Sequence, residues 1–439
     1  MAMDMYDVIV IGGSISGLLA AREIAGRGFS VLVLEEDAEI GTPEHCGGLV
    51  SIDALNSLGI DEYRLLSRIK YATISVLDTT ISIDAESKNV IAIDRRALDK
   101  HVAKQARRNG ADIMLMCRAR SFAVRDAYVK VDTNRGMMEC KVLVDARGCS
   151  IPAGTGKGFL PSAQYEVDSA CWIDDGRVEV YIDQEKYPGF FAWIIPGGKE
   201  RGRVGVSGRG ISVVERLEEF ITMKERGYGK SSDSSSYDGS ADSHNHNNNS
   251  SNNHTEGHIH KCKDKGNDRC RERYDGGGCV VLRKVFAPIW IDGPKRPFVK
   301  DGRVVVVGDA AGQAKPTTAG GIYTSGMGGL LAGTTIADAL ADNNLAILSR
   351  YEDAWLDLFG REFERMLMLR RLFERLDNKA IERILNSVHP HIDEVSASGD
   401  FDFHSSVLAR MIMSMDGLRV VKAILGSEFR RFLAGIAKV

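Results

Sequence analysis

The chain has 439 residues, 44% hydrophobic and 27% charged, with a net charge of -3, which suits several globular domains and gives no electrostatic case for nucleic acid as a partner. No stretch reaches the ~18 uninterrupted apolar residues of a membrane span, and eight scattered cysteines do not make a secreted disulfide framework. A core strand begins almost at once, which leaves no room for a signal peptide and makes the reducing cytoplasm the expected location.

Residues Tyr6 to Ile11 form an apolar, β-branched run that predicts a buried parallel strand. The turn Gly12-Gly13-Ser14-Ile15-Ser16-Gly17 follows, then a helical pattern from Leu18 to Gly26 and a second strand, Ser30 to Leu34, ending on Glu35. This is the βαβ layout of a dinucleotide site. The turn offers backbone N–H groups and a helix N-terminus to a pyrophosphate, and Glu35 is placed to accept a hydrogen bond from a ribose hydroxyl. Ser14 stands where the fingerprint has its second glycine, which narrows the backbone approach to the phosphates.

Residues 52–70 read as helical and 71–93 as short strands, Ala72 to Leu77 and Ile81 to Ile83. Ile93-Asp94-Arg95 opens a helix running to Asn109-Gly110, with Gly110 as its C′ residue and Ile113 to Met116 as a third parallel strand. Alternation over 121–133 and 138–144 predicts a hairpin, and Val142 to Gly148 a strand that ends in an acid and a glycine. Between 163 and 210 the texture changes to short, aromatic-bearing strands of an antiparallel sheet, followed by a helix over 212–226.

Residues 228–275 are almost wholly Ser, Asn, Asp, His, Gly and Lys. So polar a segment cannot offset the entropy of ordering, and a disordered insert is expected. Its His244, His246, His254, His258, His260, Cys262 and Cys270 match no compact zinc spacing, so no metal site is expected. Folding resumes at Val280 to Ile289. Arg303 to Gly312 is a buried strand ending in Gly-Asp, followed by a Pro/Thr/Gly turn and a helix from Ile322. From Thr334 the chain reads helical to its end. There, Leu418 to Val439 pairs apolar Val421, Ile424, Leu425, Phe429, Phe432, Leu433 and Ile436 with basic Arg419, Lys422, Arg430, Arg431 and Lys438. Such a segment suits an anionic lipid surface and, equally, a helix packed on its own protein with a basic solvent face.

Several landmarks stand in a specific order. After the nucleotide turn come Pro43-Glu44-His45-Cys46-Gly47-Gly48, Asp94-Arg95 with Leu98-Asp99, and Gln164-Tyr165-Glu166-Val167. Pro188-Gly189-Phe190-Phe191-Ala192-Trp193-Ile194-Ile195-Pro196, Gly308-Asp309-Ala310-Ala311-Gly312, and Tyr351-Glu352-Asp353-Ala354-Trp355 with Phe359-Gly360 complete the set. In these the chain resembles the FAD-dependent geranylgeranyl reductase family, most closely its archaeal digeranylgeranylglycerophospholipid reductases, over all but the 228–275 insert. The resemblance implies an α/β (α+β overall) fold. Residues 1–70, 90–162 and 280–340 would form a Rossmann-like FAD-binding domain of the p-hydroxybenzoate hydroxylase/glutathione reductase type. Residues 71–89 and 163–279, with the insert, would form an antiparallel-sheet substrate domain, and 341–439 a helical C-terminal region.

The resemblance also implies FAD as cofactor. Gly12, Ser16, Gly17 and Glu35 would meet it at the first turn, Cys46, Gly47 and Leu49 at the second, and Arg95 and Ala119 from the third strand-helix region. Asp309 ends a strand where its carboxylate can hold a ribityl hydroxyl, and Gly320, Gly321 and Ile322 open a helix whose dipole favours negative charge on a reduced flavin. Residues 188–207 match the family's substrate pattern P-x-x-Y-x-W-x-F-P and G-x-G. Phe191 replaces the tyrosine, Ile195 the phenylalanine and Ser207 the last glycine, which makes the pocket wall more apolar. Phe191, Trp193 and Pro196 are the expected substrate residues. Trp193 has two readings, an isoprenoid-facing surface or plain core.

An isolated trisubstituted alkene is a poor hydride acceptor, because no carbonyl absorbs the charge. Its reduction needs a proton delivered to one carbon as hydride reaches the other, in a dry apolar site with one acid close by. Cys46 is the candidate acid, since a thiol in an apolar place keeps its proton at neutral pH; the other reading is a small residue that merely fits the flavin edge. The implied partners are an isoprenoid glycerophospholipid and an electron donor such as ferredoxin, NADPH or another reductant, with peripheral contact on the inner face of the membrane. No second nucleotide fingerprint is visible. Two other readings share the fold: an aromatic monooxygenase or halogenase, and a non-enzymatic prenyl-lipid carrier like the Rab escort proteins. Because the insert has so little to bury, deleting residues 230–274 should leave flavin content and melting temperature within a few degrees of the full chain. Absorbance and calorimetry check this.

Overall fold

The computed structural model describes residues 5–149, 158–233, 278–397, 400–405, 409–410, 418–419 and 421–422. β1 (Tyr6–Ile11), α1 (Ile15–Gly26) and β2 (Val31–Leu34) form the expected βαβ unit. β3 (Leu49–Ser51) leads into α2 (Ile52–Ser57), where the prediction of a helix over 52–70 fails. Ser51 caps α2 by accepting the Ala54 N–H at 3.0 Å, but the helix stops after six residues, ahead of Gly59 at φ +65. Residues Leu65–Arg68 form β4 instead. After the hairpin of β5 (Tyr71–Val76) and β6 (Thr79–Asp84), β7 (Val90–Ile93) returns and pairs with both β3 and β4. Pairing with a strand distant in sequence overrides local helical pattern.

α3 (Arg95–Arg108) begins on Asp94, whose Oδ1 accepts the N–H groups of Arg96 and Ala97 at 3.0 and 3.2 Å, a standard N-cap contribution of about 1 kcal/mol. It ends where expected, with Gly110 at φ +103. β8 (Asp112–Met114) lies parallel to β2. The predicted hairpin is a three-stranded meander, β9 (Ala119–Val124), β10 (Val129–Thr133) and β11 (Gly136–Asp145). The 121–133 run breaks because Arg125 N–H turns back onto the Tyr128 carbonyl.

β12 (Phe159–Asp168), β13 (Arg177–Ile182), β14 (Ala192–Pro196) and β15 (Gly202–Ser207) carry the aromatic segments, and α4 (Val213–Asp233) follows. The first residues of the predicted insert therefore extend α4, while residues 234–277, with their histidines and cysteines, lie outside the described residues. β16 (Val280–Trp290), β17 (Val299–Lys300) and β18 (Val304–Val306) precede the helices α5 (Ile322–Ala341), α6 (Arg350–Phe373), α7 (Asn378–Val388) and α8 (Ile392–Ala397).

The first sheet runs β17-β18-β11-β1-β2-β8, with β10 and β9 continuing from β11. Its central strands β18, β11, β1, β2 and β8 are parallel, so their carboxyl ends meet at one edge, the place where such sheets bind ligands. The second sheet runs β16-β12-β15-β14-β13-β5-β6. It is antiparallel as predicted, except that β13 and β5 run parallel because the β5–β6 hairpin arrives from an earlier part of the chain. Its other edge, β16, was grouped with the nucleotide-binding residues in the sequence reading. Ten residues of β16 pair with β12 instead.

Val421, in the basic C-terminal segment, is fully buried among Leu369 and Leu372 of α6, Ile381 and Ile384 of α7 and Ile81 of β6. At this point the segment packs on its own protein; residues 423–439 lie outside the described residues. No helix among the described residues is long and apolar enough to cross a membrane.

α1 and α5 touch backbone to backbone. A Cβ on Gly329 would lie 2.1 Å from the Ser16 carbonyl oxygen, and one on Gly333 2.7 Å from that of Ala20. The Gly329→Ala variant should therefore push α5 off α1 at a cost of about 1–3 kcal/mol, seen as a lower melting temperature and less FAD retained per chain.

Candidate functional site

The first turn is shaped by two glycines. Gly12 sits at φ +108 with its Cβ position 2.4 Å from the Ala146 carbonyl oxygen, and a Cβ on Gly17 would meet the Gly12 carbonyl at 2.2 Å. Glu35, at the carboxyl end of β2, accepts the Gly13 N–H at 2.7 Å and the Asp37 N–H at 3.0 Å. Burial pushes its carboxyl above the usual carboxylate range. The N–H groups of Met116 and Cys117 donate to the Asp37 and Glu35 carbonyls, so Ala119, the first residue of β9, stands just beyond this corner. Ser14 is exposed at the N-cap of α1, and its hydroxyl accepts from Arg95 Nη2 at 3.3 Å.

Arg95 is buried at the start of α3, a position where the helix dipole opposes a cation. Burial would lower its pKa, but the Asp99 carboxylate, 2.8 and 2.9 Å from Nη2, holds it above its ordinary value. Its Nε is a buried donor without a partner among the described residues. Desolvating such a group costs roughly 1–3 kcal/mol unless an acceptor arrives. Asp309, in the turn after β18, has its carboxyl raised by burial and accepts from the Cys149 thiol at 3.9 Å. Its Oδ1 lies 3.4 Å from where a Gly321 Cβ would stand, beside the N-terminus of α5 at Ile322. Gly308, at φ +66, packs on the Ser16 side chain and ties this turn to the first. A cradle lined by glycine backbone, two acids at strand ends, an orphaned guanidinium nitrogen and a helix N-terminus fits FAD.

The second turn hangs on Glu44. The residue is 3% exposed, and its carboxylate accepts from Arg203 Nη2 at 2.6 Å, from Arg283 Nη2 at 2.6 Å and from the Arg95 backbone N–H at 3.2 Å. Arg203, on β15, also donates to the Gly47 and Ile93 carbonyls at 2.9 and 3.1 Å. Cys46 is thereby held half-buried, with the Gly48 N–H donating to its sulfur at 3.3 Å. Gly47 abuts Ile195, whose Cδ1 would lie 2.6 Å from a Cβ there.

The aromatic segment meets this turn directly. Trp193 Nε1–H donates to Gln164 Oε1 at 3.2 Å, and Gln164 Nε2–H donates to the Cys46 carbonyl at 3.3 Å. Since the indole can only donate, the orientation of the amide follows. The indole lies against Gly205 of β15, where a Cβ would sit 2.3 Å from it; a glycine inside a strand marks such a close approach. Phe190 and Phe191 stack at 4.1 Å, and Phe191 meets Trp193 edge-on at 6.1 Å. Leu49 and Trp193 pack on one apolar cluster with Ile195 and Ala92, while Ala319, in the loop before α5, joins the cluster of Phe190 and Phe191. Cys46, Gly47, Leu49, Phe191 and Trp193 are thus brought together. Pro196 stands one step off, buried at the end of β14 opposite Gly202. Sequence reasoning quoted Glu44, Gln164 and Gly205 within its motifs without giving them a role, and did not single out Arg203 or Arg283. The available signals were a charged side chain and a glycine inside the buried apolar run of β15.

Fold and site together define an FAD-dependent oxidoreductase, and residues 7–88 match the family model described as FAD dependent oxidoreductase. Over most of its length the chain is similar to proteins named digeranylgeranylglycerophospholipid reductase. It is 29% identical to reductase 2 of Methanothermobacter thermautotrophicus, covering 87% of this chain and 91% of that one. It is 27% identical to reductase 1 of Methanopyrus kandleri, covering 90% and 97%. Among solved structures, a geranylgeranyl bacteriochlorophyll reductase-like protein from Thermoplasma acidophilum shares the fold with a TM-score of 0.74 at 19% identity, over 97% of this chain and all of that one. A variant of the halogenase PltM in complex with FAD shares it with a TM-score of 0.60 at 14% identity, over 99% and 92%.

Arg203→Met should leave the buried Glu44 carboxylate to Arg283 and the Arg95 N–H and cost about 1–3 kcal/mol. Denaturant titration should show the loss, and Glu44→Gln combined with Arg203→Met should recover part of it.

Proposed function

We propose that the protein saturates the isoprenoid double bonds of geranylgeranyl groups on archaeal glycerophospholipids, in membrane lipid biosynthesis. The observation that carries this reading is the hydrogen-bonded line from Trp193 through Gln164 to Cys46, which sets an apolar aromatic wall against the cofactor turn. Bound FAD, once reduced, supplies the hydride. The chain's own residues do the rest. Gly12, Ser16, Gly17, Glu35, Arg95 and Ala119 hold the nucleotide portion, and Gly47, Asp309, Gly321 and Ile322 hold the ring and ribityl portion. Phe191 and Trp193 exclude water and lay the lipid chain across the site, with Pro196 ending the strand that carries them. Cys46 delivers the proton to the less substituted alkene carbon, so that positive charge develops at the more substituted one as hydride arrives there. The seven-stranded sheet serves the substrate and the parallel sheet serves the cofactor.

An external donor, a ferredoxin, NADPH or another reductant, restores the reduced state, and the lipid is reached by peripheral contact with the inner face of the membrane. Aromatic hydroxylation or halogenation fits less well, because a thiol beside an apolar wall offers a phenol no polar anchor. Non-catalytic prenyl-lipid carriage would leave the buried acids and the Arg95 nitrogen of the FAD cradle without purpose.

Dithionite-reduced holoprotein incubated with digeranylgeranylglycerophospholipid should raise the lipid's mass by pairs of hydrogens; unchanged lipid would refute the proposal. Cys46→Ala should bind FAD normally and lose about 10²-fold or more of the rate. Near-normal turnover would remove Cys46 from the proton-donor role.

A further inference from the structure

The segment Asp400–Ser405 takes no part in the arrangement above, yet buried polar contacts fix it to three separate elements. Lys315, in the loop before α5, donates to the Phe401 carbonyl at 3.0 Å and pairs with Asp402 Oδ1 at 3.2 Å. Asp402 Oδ2 accepts the Ser51 hydroxyl at 2.5 Å. Thr317 and His404 share a hydrogen bond at 2.6 Å, and the Ser405 N–H donates to Glu362 of α6 at 2.8 Å. The Lys315 and Asp402 side chains are only 6% and 10% exposed.

Two of these anchors adjoin the site through different parts of the chain. Ser51 ends β3, the strand that starts at Leu49 directly after the Cys46 turn. Lys315 and Thr317 belong to the loop that brings Ala319 to the Phe190–Phe191 cluster and ends at Gly321. The segment therefore bridges the two, and the side chain it carries there is Phe401. The ring packs on the apolar cluster of Ile69, Val90, Ala92 and Ile195, which also receives Leu49 and Trp193, and the Lys315 ammonium lies 4.9 Å from its centroid.

A buried ion pair stabilises less than well-packed apolar side chains of the same volume, so its presence calls for a reason other than stability. Here both oxygens of Asp402 are engaged, one by Lys315 and one by Ser51, which fixes the backbone next to Phe401 in a way that non-directional apolar packing does not.

We propose that Phe401 forms a further wall of the isoprenoid channel and sets how much of the chain can pass the reacting position, with Lys315 and Asp402 as positioning residues. This rests on the reductase reading. The test uses holoprotein of the wild type, Phe401→Ala, Phe401→Leu and Asp402→Asn, reduced with dithionite and given digeranylgeranylglycerophospholipid. Mass spectrometry counts the hydrogen pairs added per lipid over time. Phe401→Ala should change the ratio of fully to partly saturated product about tenfold, the scale of discrimination by an apolar pocket, with FAD content unchanged. Phe401→Leu should return the ratio toward wild type, and Asp402→Asn should move it in the direction of Phe401→Ala. A wild-type ratio in Phe401→Ala overturns the inference. Should that variant lose FAD, unchanged ratios in both Phe401→Leu and Asp402→Asn overturn it. If the wild type adds no hydrogen at all, the reductase reading fails first. The wall is then judged by binding of a fully saturated isoprenoid diether phospholipid, read from the FAD visible spectrum: equal affinity in wild type and Phe401→Ala overturns it, and a severalfold difference supports it.

Discussion

One buried carboxylate holds the two halves of this site in register. Glu44 belongs to the turn after β2, yet its oxygens are shared by Arg203 of β15, Arg283 of β16 and the first N–H of α3. Arg283 also reaches Glu166 on β12, at 2.9 Å, so the charge is distributed rather than isolated. Two strands of the seven-stranded sheet, helix α3 and the Cys46 turn therefore converge on a single group. A carboxylate this deep in the protein is tolerable when it is paired and hydrogen-bonded, here by two guanidinium groups and a backbone N–H. The same requirement leaves the turn that carries Cys46 little freedom.

Packing around this point follows the same economy of space. Glycines stand wherever two surfaces must approach more closely than a Cβ permits: Gly205 under the Trp193 indole, Gly47 against Ile195, Gly329 against the backbone of α1. Each does in a different place what Gly12 does in the nucleotide turn. The aromatic wall is consequently seated on backbone, with both phenylalanine rings edge-on to the indole, a favoured geometry for aromatic pairs. The polar line through Gln164 gives the indole a defined orientation toward the Cys46 turn.

Much of the architecture was legible from the chain because it is written locally. The βαβ unit is three adjacent segments with a glycine turn between them, Asp94 caps the helix it immediately precedes, and Gly110 ends that helix. Errors fell where a distant partner decides the conformation. Leu65–Arg68 is a strand only because β7 lies beside it, and β5 runs parallel to β13 only because a hairpin from early in the chain closes the edge of a later sheet. The candidate site divides in the same way. Gly12, Ser16, Gly17 and Glu35 stand in a single continuous motif. Glu44, Gln164, Arg203 and Arg283 look in isolation like ordinary polar residues, since nothing in their neighbours announces that they meet.

The order of the apolar runs, the turn chemistry and the strand-ending acids determined by themselves that this chain builds a nucleotide-binding α/β domain beside a strand-rich one. That follows because hydrophobic periodicity and glycine placement act over a few residues and leave a readable trace. The tertiary structure alone decided which side chains face the cofactor turn and what pins them there. Ion pairs and edge contacts between residues more than a hundred positions apart, such as Glu44 with Arg203 or Gln164 with Cys46, depend on how two sheets come to rest against each other, and that is a property of the assembled core.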